Sequence, residues 1–188
     1  LRGYFGRTHK TIRAKKTKEV CSVMKQVLPI TCLEKIEKIK LYLRGRNERN
    51  YFLFCLGINW GIPIQELLEL QVEDLREKEF LVRSADEVFS KLAISPQLQV
   101  EIANYLGDRV SGPFFPSRSG KELTRRQVDV ILREAAEATQ LGQSIGICTL
   151  RKTFVFWAFK KGVPLEHLRK HLGHSSVRNT IQFVGLPL

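Results

Sequence analysis

The sequence holds little of what marks a secreted or membrane protein. Its four cysteines, Cys21, Cys32, Cys55 and Cys148, form no Cys-x-x-Cys pair, so zinc-ribbon and dithiol redox spacings are excluded and free thiols in a reducing cytosol are expected. No apolar run reaches the roughly eighteen residues of a transmembrane helix, and no signal peptide heads the chain. A soluble, cytoplasmic protein with no membrane partner is the expectation. The first residue is Leu1 rather than Met, and further residues before it are expected. No internal repeat is visible, and no tyrosine follows Tyr105. Acids are scarce at both ends, where Glu19 stands alone in residues 1–30 and Glu166 alone in residues 151–188.

What is present is a globular composition. With 188 residues, 43% apolar and 27% charged, the chain has room for one sizeable domain and a short appendage. Its net charge of +12 is unevenly distributed. Residues 1–30 carry eight Lys/Arg against one acid, residues 151–188 seven against one, and the stretch between is nearly neutral at sixteen against seventeen. Two basic ends around a neutral body suit a polyanion, and double-stranded DNA is the expected partner because Lys and Arg contacts to phosphate release counterions. A lipid surface fits less well, since neither block alternates its cations with a wide apolar face.

Residues 1–30 read as a basic arm or linker containing Arg13, Lys15 and Lys16, and residues 31–188 as the folded domain. A helix is expected from Thr31, with Leu33, Ile36, Ile39 and Leu43 at spacings of three and four and Thr31 and Glu34 as a capping box. Tyr51 to Trp60 is apolar all round and should be a buried helix, with Gly57 and Gly61 interrupting it and Pro63 in the first turn of a short helix through Leu70. Glu79–Arg83 and Val88–Ile94 read as a hairpin, and 112–116 as an extended segment and candidate third strand. Ser95-Pro96 opens a helix that Gly107 closes, and Thr124 caps another whose inward face is Val128, Ile131, Leu132 and Ala135. Thr149–Lys161 should be a helix with Phe154, Phe156, Trp157 and Phe159 as core. Pro164 starts the next, and a last short helix begins near Ser176. The expected fold class is mainly α (α+β), with a small antiparallel sheet of two to three strands.

The C-terminal strings are the most specific. Thr149-Leu150-Arg151-Lys152-Thr153-Phe154 and, some twenty residues on, Leu172-Gly173-His174-Ser175-Ser176 resemble the tyrosine recombinase (phage integrase) family, whose corresponding strings are His-x-x-Arg-His-Thr-Phe and Leu-Gly-His. Gly61-Ile62-Pro63-Ile64-Gln65-Glu66-Leu67 is similar to its Gly-x-Arg-x-x-Glu-Leu segment, and Phe115-Pro116-Ser117 with Thr124-Arg125-Arg126 resembles its middle. The likeness spans about residues 31–185, with four motifs in order. It implies the helical catalytic-domain fold and a role in DNA recombination or integration. In that family a tyrosine hydroxyl attacks a phosphodiester, and arginines, a lysine and histidines stabilise the charge that develops.

By the same resemblance several parts of that chemistry are missing. The first arginine falls on Pro63, the motif histidine on Cys148, and the nucleophile on Phe183, which has no hydroxyl. The family lysine belongs on the hairpin, where Arg83 and Lys91 are the basic candidates. Arg151 and His174 persist. The expectation is a pseudoenzyme: a DNA-binding, recombinase-like domain that does not cleave, needs no cofactor or metal, and serves an accessory or regulatory role beside an active recombinase or by self-association on DNA. It would be nucleoid-associated in a bacterial or archaeal cell. An active integrase using a nucleophile supplied in trans or from missing sequence is the alternative, and a decayed mobile-element remnant a third.

Expected nucleic-acid contacts are Arg151, His174, Lys152, Arg125, Arg126, Lys121, Arg178, Arg13, Lys15 and Lys16. Arg151 is expected in the first turn of its helix, where free amides favour an anion, or else as a structural residue paired with an acid. Phe183 is expected off the buried stripe of Val177, Ile181 and Val184, facing DNA or a partner, or else packed ordinarily. His167, His171 and His174 invite a zinc reading, but Gly173 should end their helix before His174. Lys160-Lys161 and Arg169-Lys170 are either DNA contacts or solvated faces.

Overall fold

The structure, a computed structural model, describes residues 27–82 and 91–185, without the side chains of Phe80, Leu81, Val82 and Lys91. Arg13, Lys15, Lys16 and Arg83 lie outside the described residues, as does the side chain of Lys91. The chain is mainly helical. In order it forms α1 (Leu33–Arg46), α2 (Glu48–Trp60), α3 (Ile64–Leu68), α4 (Val72–Leu75), β1 (Phe80–Val82), β2 (Lys91–Ala93), α5 (Pro96–Leu106), α6 (Arg125–Ala138), α7 (Ile147–Lys160), α8 (Leu165–Leu172) and α9 (Val177–Val184). β1 and β2 pair antiparallel, with Leu81 opposite Leu92. The expected third strand contributes only isolated bridges, Gln71 to Pro113 and Pro116 to Glu122. Prolines at 113 and 116 lack the amide protons that a continuous ladder needs.

Local signals set most helix ends. Ser95 accepts the Leu98 amide with Pro96 as the first helical residue. Thr124 and Gln127 cap α6 reciprocally. Gly173 ends α8 in the left-handed conformation, and Ser176 accepts the Asn179 amide to open α9. Two expected starts are corrected. The cap position of α1 is Cys32, without a side-chain bond, rather than Thr31. Pro63 occupies the cap position of α3 instead of its first turn, and that helix stops at Leu68.

α2 is the buried central helix, with Phe52, Leu53, Phe54 and Leu56 at its heart. Gly57 lies inside it rather than interrupting it. A Cβ there would come within 2.8 Å of Leu150 Cδ1, so the missing side chain lets α2 and α7 approach closely. Gly61 caps α2 at φ +62, with the Phe154 ring lying across it.

The core has two parts. The larger gathers α1, α2, α5 and α6 around Leu150; the smaller, beneath α8 and α9, contains Val155, Leu168, Leu172 and Val184. Between Leu150 and Val155, α7 buries the polar run Arg151, Lys152 and Thr153. That polar layer is the structural context of the candidate site. The aromatics of α7 divide accordingly: Trp157 packs on the larger core, Phe154 and Phe156 on the smaller, and Phe159 is exposed, contrary to its expected place in the core.

Candidate nucleic-acid interface

α7 begins at Ile147, two residues earlier than its sequence suggests, and Arg151 is therefore its fifth residue. Its start is fixed by a residue distant in sequence. Asp129 of α6 accepts the Ile147 amide at 3.2 Å, and Thr149 Oγ1 accepts the Gly146 amide at 3.1 Å. The expectation that Arg151 sits among free first-turn amides is corrected, because a carboxylate already occupies that helix end.

The Arg151 guanidinium is buried and held by carbonyls. Its Nε donates to Gly61 O at 2.9 Å, and an Nη donates to Leu172 O at 3.2 Å. These acceptors lie at the C-terminal ends of α2 and α8, where the helix dipole is negative and a cation is favoured. His171, also buried, donates from Nε2 to Trp60 O at 2.7 Å and stacks at a tilt on Phe154, with ring centroids 4.9 Å apart. The last two residues of this turn, Trp60 and Gly61, are thus clamped by imidazole and guanidinium. Pro63 follows two residues later, half-buried.

Of the two alternatives for Phe183, packing against a neighbouring element is the one found. The buried line of α9 runs through Thr180 and Val184, and Phe183 flanks it three residues after Thr180, half-buried against the smaller core. Its ring meets the His174 ring edge-on at 5.2 Å, and the Lys152 ammonium lies 5.3 Å from its centroid. Lys152 is itself buried and donates to Val27 O at 2.9 Å. His174 Nδ1 shares a 3.1 Å hydrogen bond with Thr180 Oγ1. Lys152, His174 and Phe183 therefore meet where α7 packs on α9, and Arg151 is the residue before Lys152 in α7. Cys148, half-buried, lies three residues before Arg151 on the same helix.

Other expected contacts are elsewhere. Lys121, Arg125 and Arg126 are exposed at the 116–124 loop and the start of α6, and Arg178 is exposed in the first turn of α9. Arg169, expected either as a DNA contact or as part of a solvated face, has a structural role. It pairs with Glu166 at 2.6 Å and donates to His174 O at 2.7 Å, which anchors the turn that presents His174. Residues 27–30 also pack on α7: Thr153 Oγ1 accepts the Ile30 amide at 3.0 Å, and Trp157 Nε1 donates to Ile30 O at 3.0 Å. Among the described residues no His/Cys/Asp/Glu group is arranged to hold a metal, and no helix is long and apolar enough to cross a membrane.

The fold and this clustering define a tyrosine recombinase catalytic-domain architecture. The XerA recombinase shares it with a TM-score of 0.69 at 15% identity, over 86% of this chain and 62% of that one. The Tn1549 transposon integrase, solved with transposon right end DNA, gives 0.66 at 15% identity over 90% and 65%. The chain thus spans under two thirds of either solved protein. The phage integrase family model matches residues 30–185, and the chain belongs to that family. It is 39% identical to the probable integrase/recombinase YoeC of Bacillus subtilis over 85% of this chain and 90% of that protein. It is also 27% identical to the type 1 fimbriae regulatory protein FimE of Escherichia coli K12, over 73% and 74%.

Proposed function

We propose that this protein binds double-stranded DNA without cleaving it and acts as an accessory or regulatory factor in DNA recombination or integration. The reading takes residues 31–188 as the recombinase-like domain and residues 1–30 as a basic arm joined to it beside Lys152. One observation carries the proposal: at the family's nucleophile position the Phe183 ring packs against His174 and under Lys152, so the position is filled by a side chain that lacks an attacking oxygen. Pro63 and Cys148 support it, since neither supplies the charge or the strong donor that a pentacoordinate phosphate needs.

Binding and cleavage separate because they make different demands. Holding a duplex takes cations and hydrogen-bond donors along its backbone. Strand cleavage additionally takes a nucleophile and a proton donor for the leaving oxygen. Support for DNA as partner comes from the +12 charge and from the Tn1549 integrase, whose structure contains transposon DNA. Support for a regulatory role comes from the likeness to a protein named as a regulator of type 1 fimbriae. An active recombinase, or a second copy on the same DNA, is the further partner in this reading.

A labelled duplex tests it. The expected result is a retarded band on a native gel that vanishes steeply with salt, with no labelled protein band after denaturation. Absence of any complex at low salt would overturn the DNA-binding half. A band surviving denaturation would overturn the non-cleaving half and favour a nucleophile supplied by another residue or subunit.

A further inference from the structure

Residues 27–30 touch both parts of the core. Pro29 and Ile30 are buried and Leu28 is exposed. Pro29 fixes its own φ and confines Leu28 to extended backbone, so the segment is a stiff strap. One end is anchored to the larger core, where Ile30 is buried. The Ile30 amide donates to Thr153 Oγ1 at 3.0 Å, and its carbonyl accepts from Trp157 Nε1 at 3.0 Å. Gln143 Nε2, from the loop before α7, donates to Pro29 O at 3.3 Å. Thr153 and Trp157 are four residues apart and share one face of α7.

The other end meets Lys152, which stands one residue before Thr153 and so points about 100° round the helix from that face. Its ammonium donates to Val27 O at 2.9 Å and lies 5.3 Å from the centroid of the Phe183 ring. One buried cation thus touches both the strap and α9. α9 belongs to the smaller core through Phe183 and Val184, and Phe183 meets His174 edge-on. A line of contacts therefore runs from Ile30 through Val27, Lys152 and Phe183 to His174. The carbonyl and the ring face stabilise the same ammonium, and removing either leaves a buried charge leaning on the other. Contacts that share a partner in this way are not additive, so the two ends of the line depend on each other.

We propose that residues 27–30 are a strap that couples residues 1–26 to α9, with Lys152 as the positioning residue at the joint. Whatever orders or displaces the chain at Val27 shifts the local opening of α9 and of the turn that presents His174. Movement of α9 acts back on the strap, because such coupling is reciprocal. This coupling is a property of the free chain, so it stands or falls separately from the DNA-binding reading.

Amide hydrogen exchange on the full chain, followed by mass spectrometry in peptides covering 27–32, 52–58 and 177–185, tests it. Trp157→Phe removes the indole donor to Ile30 O, and Phe183→Leu removes the ring from the joint. Trp157→Phe should speed exchange in α9 by roughly fivefold or more, and Phe183→Leu should do the same at the Ile30 amide, with the α2 peptide unchanged. Both effects should disappear in a Lys152→Met background and persist with Lys152→Arg, which keeps the charge and a donor. Lys152→Gln replaces the methionine variant if that chain does not fold. Trp157 also meets Phe156 edge-on at 5.4 Å, and Phe156 packs on the smaller core. An α9 effect that survived the loss of Lys152 would therefore assign the transmission to these rings and overturn the role of Lys152. No change in α9 or at Ile30 in either single variant would overturn the coupling itself. Faster exchange in all three peptides alike would mean general loosening and would equally overturn it.

Discussion

Replacing Arg151 should loosen the protein before it loosens any complex. The side chain is 7% exposed and ties the last turn of α2 to the last turn of α8 through Gly61 O and Leu172 O. Each hydrogen bond to a charged group contributes about 1.5–3 kcal/mol, and an alanine leaves both carbonyls short of a donor. Water entering the vacated space recovers part of that loss, so a net destabilisation of about 3 kcal/mol is expected for Arg151→Ala. For a chain of this size that corresponds to a fall of roughly 6–12 °C in melting temperature. Arg151→Lys keeps the charge near both helix ends but cannot reproduce the fork, and should lose about half as much. Thermal unfolding followed by circular dichroism reads both variants. DNA binding is then compared at a temperature where each remains folded, and a further loss of roughly 1–3 kcal/mol there would report phosphate contact. A melting temperature within about 1 °C of the native value would refute the clamp, because it would mean that a buried guanidinium on two helix ends contributes nothing.

Two further perturbations probe the same architecture. Gly61→Ala places a methyl 2.2 Å from Phe154 Cδ1 at a backbone φ of +62. It should cost about 2–4 kcal/mol by combined strain and overpacking, read by urea denaturation; a neutral result would mean that the Phe154 ring is free to move aside. The Cys55 thiol is pushed up to about 11 from 9.0, chiefly by burial. Its folded-state pKa lies above the unfolded one, so the associated stability is complete below pH 9 and is lost as pH rises towards 11. The size of that loss is about 2–3 kcal/mol. Stability measured from pH 8 to 11 should fall less steeply for Cys55→Ser, which does not ionise there, and equal slopes would contradict the assignment.

How much the sequence reveals depends on whether the cause is local. Ser95-Pro96, Thr124 with Gln127, Gly173 and Ser176 each decide a helix end with atoms a few residues away, and they act as their types suggest. The start of α7 is different: Asp129 supplies the cap from eighteen residues upstream, across a helix–helix contact that no local pattern displays. The placing of Phe183 stays open in the sequence for a related reason. Taken alone, the apolar spacing of α9 favours Val177, Ile181 and Val184, but the buried line follows Thr180, a polar residue satisfied by His174. The partners of Arg151 are backbone carbonyls, which leave no mark in a sequence. The motif positions Arg151, His174 and Phe183, by contrast, were legible from resemblance, and of these His174 and Phe183 meet beside Lys152.

The central proposal is that Phe183, at the position the resemblance gives to the nucleophile, leaves the protein unable to form a covalent link to DNA. Incubating the full chain with a nicked duplex that traps covalent intermediates, then weighing the intact protein by mass spectrometry, tests it most directly. The account predicts a single species at the mass of the unmodified chain, even under salt conditions where the duplex is fully bound. A species heavier by the mass of the cleaved oligonucleotide, on any residue, would contradict it.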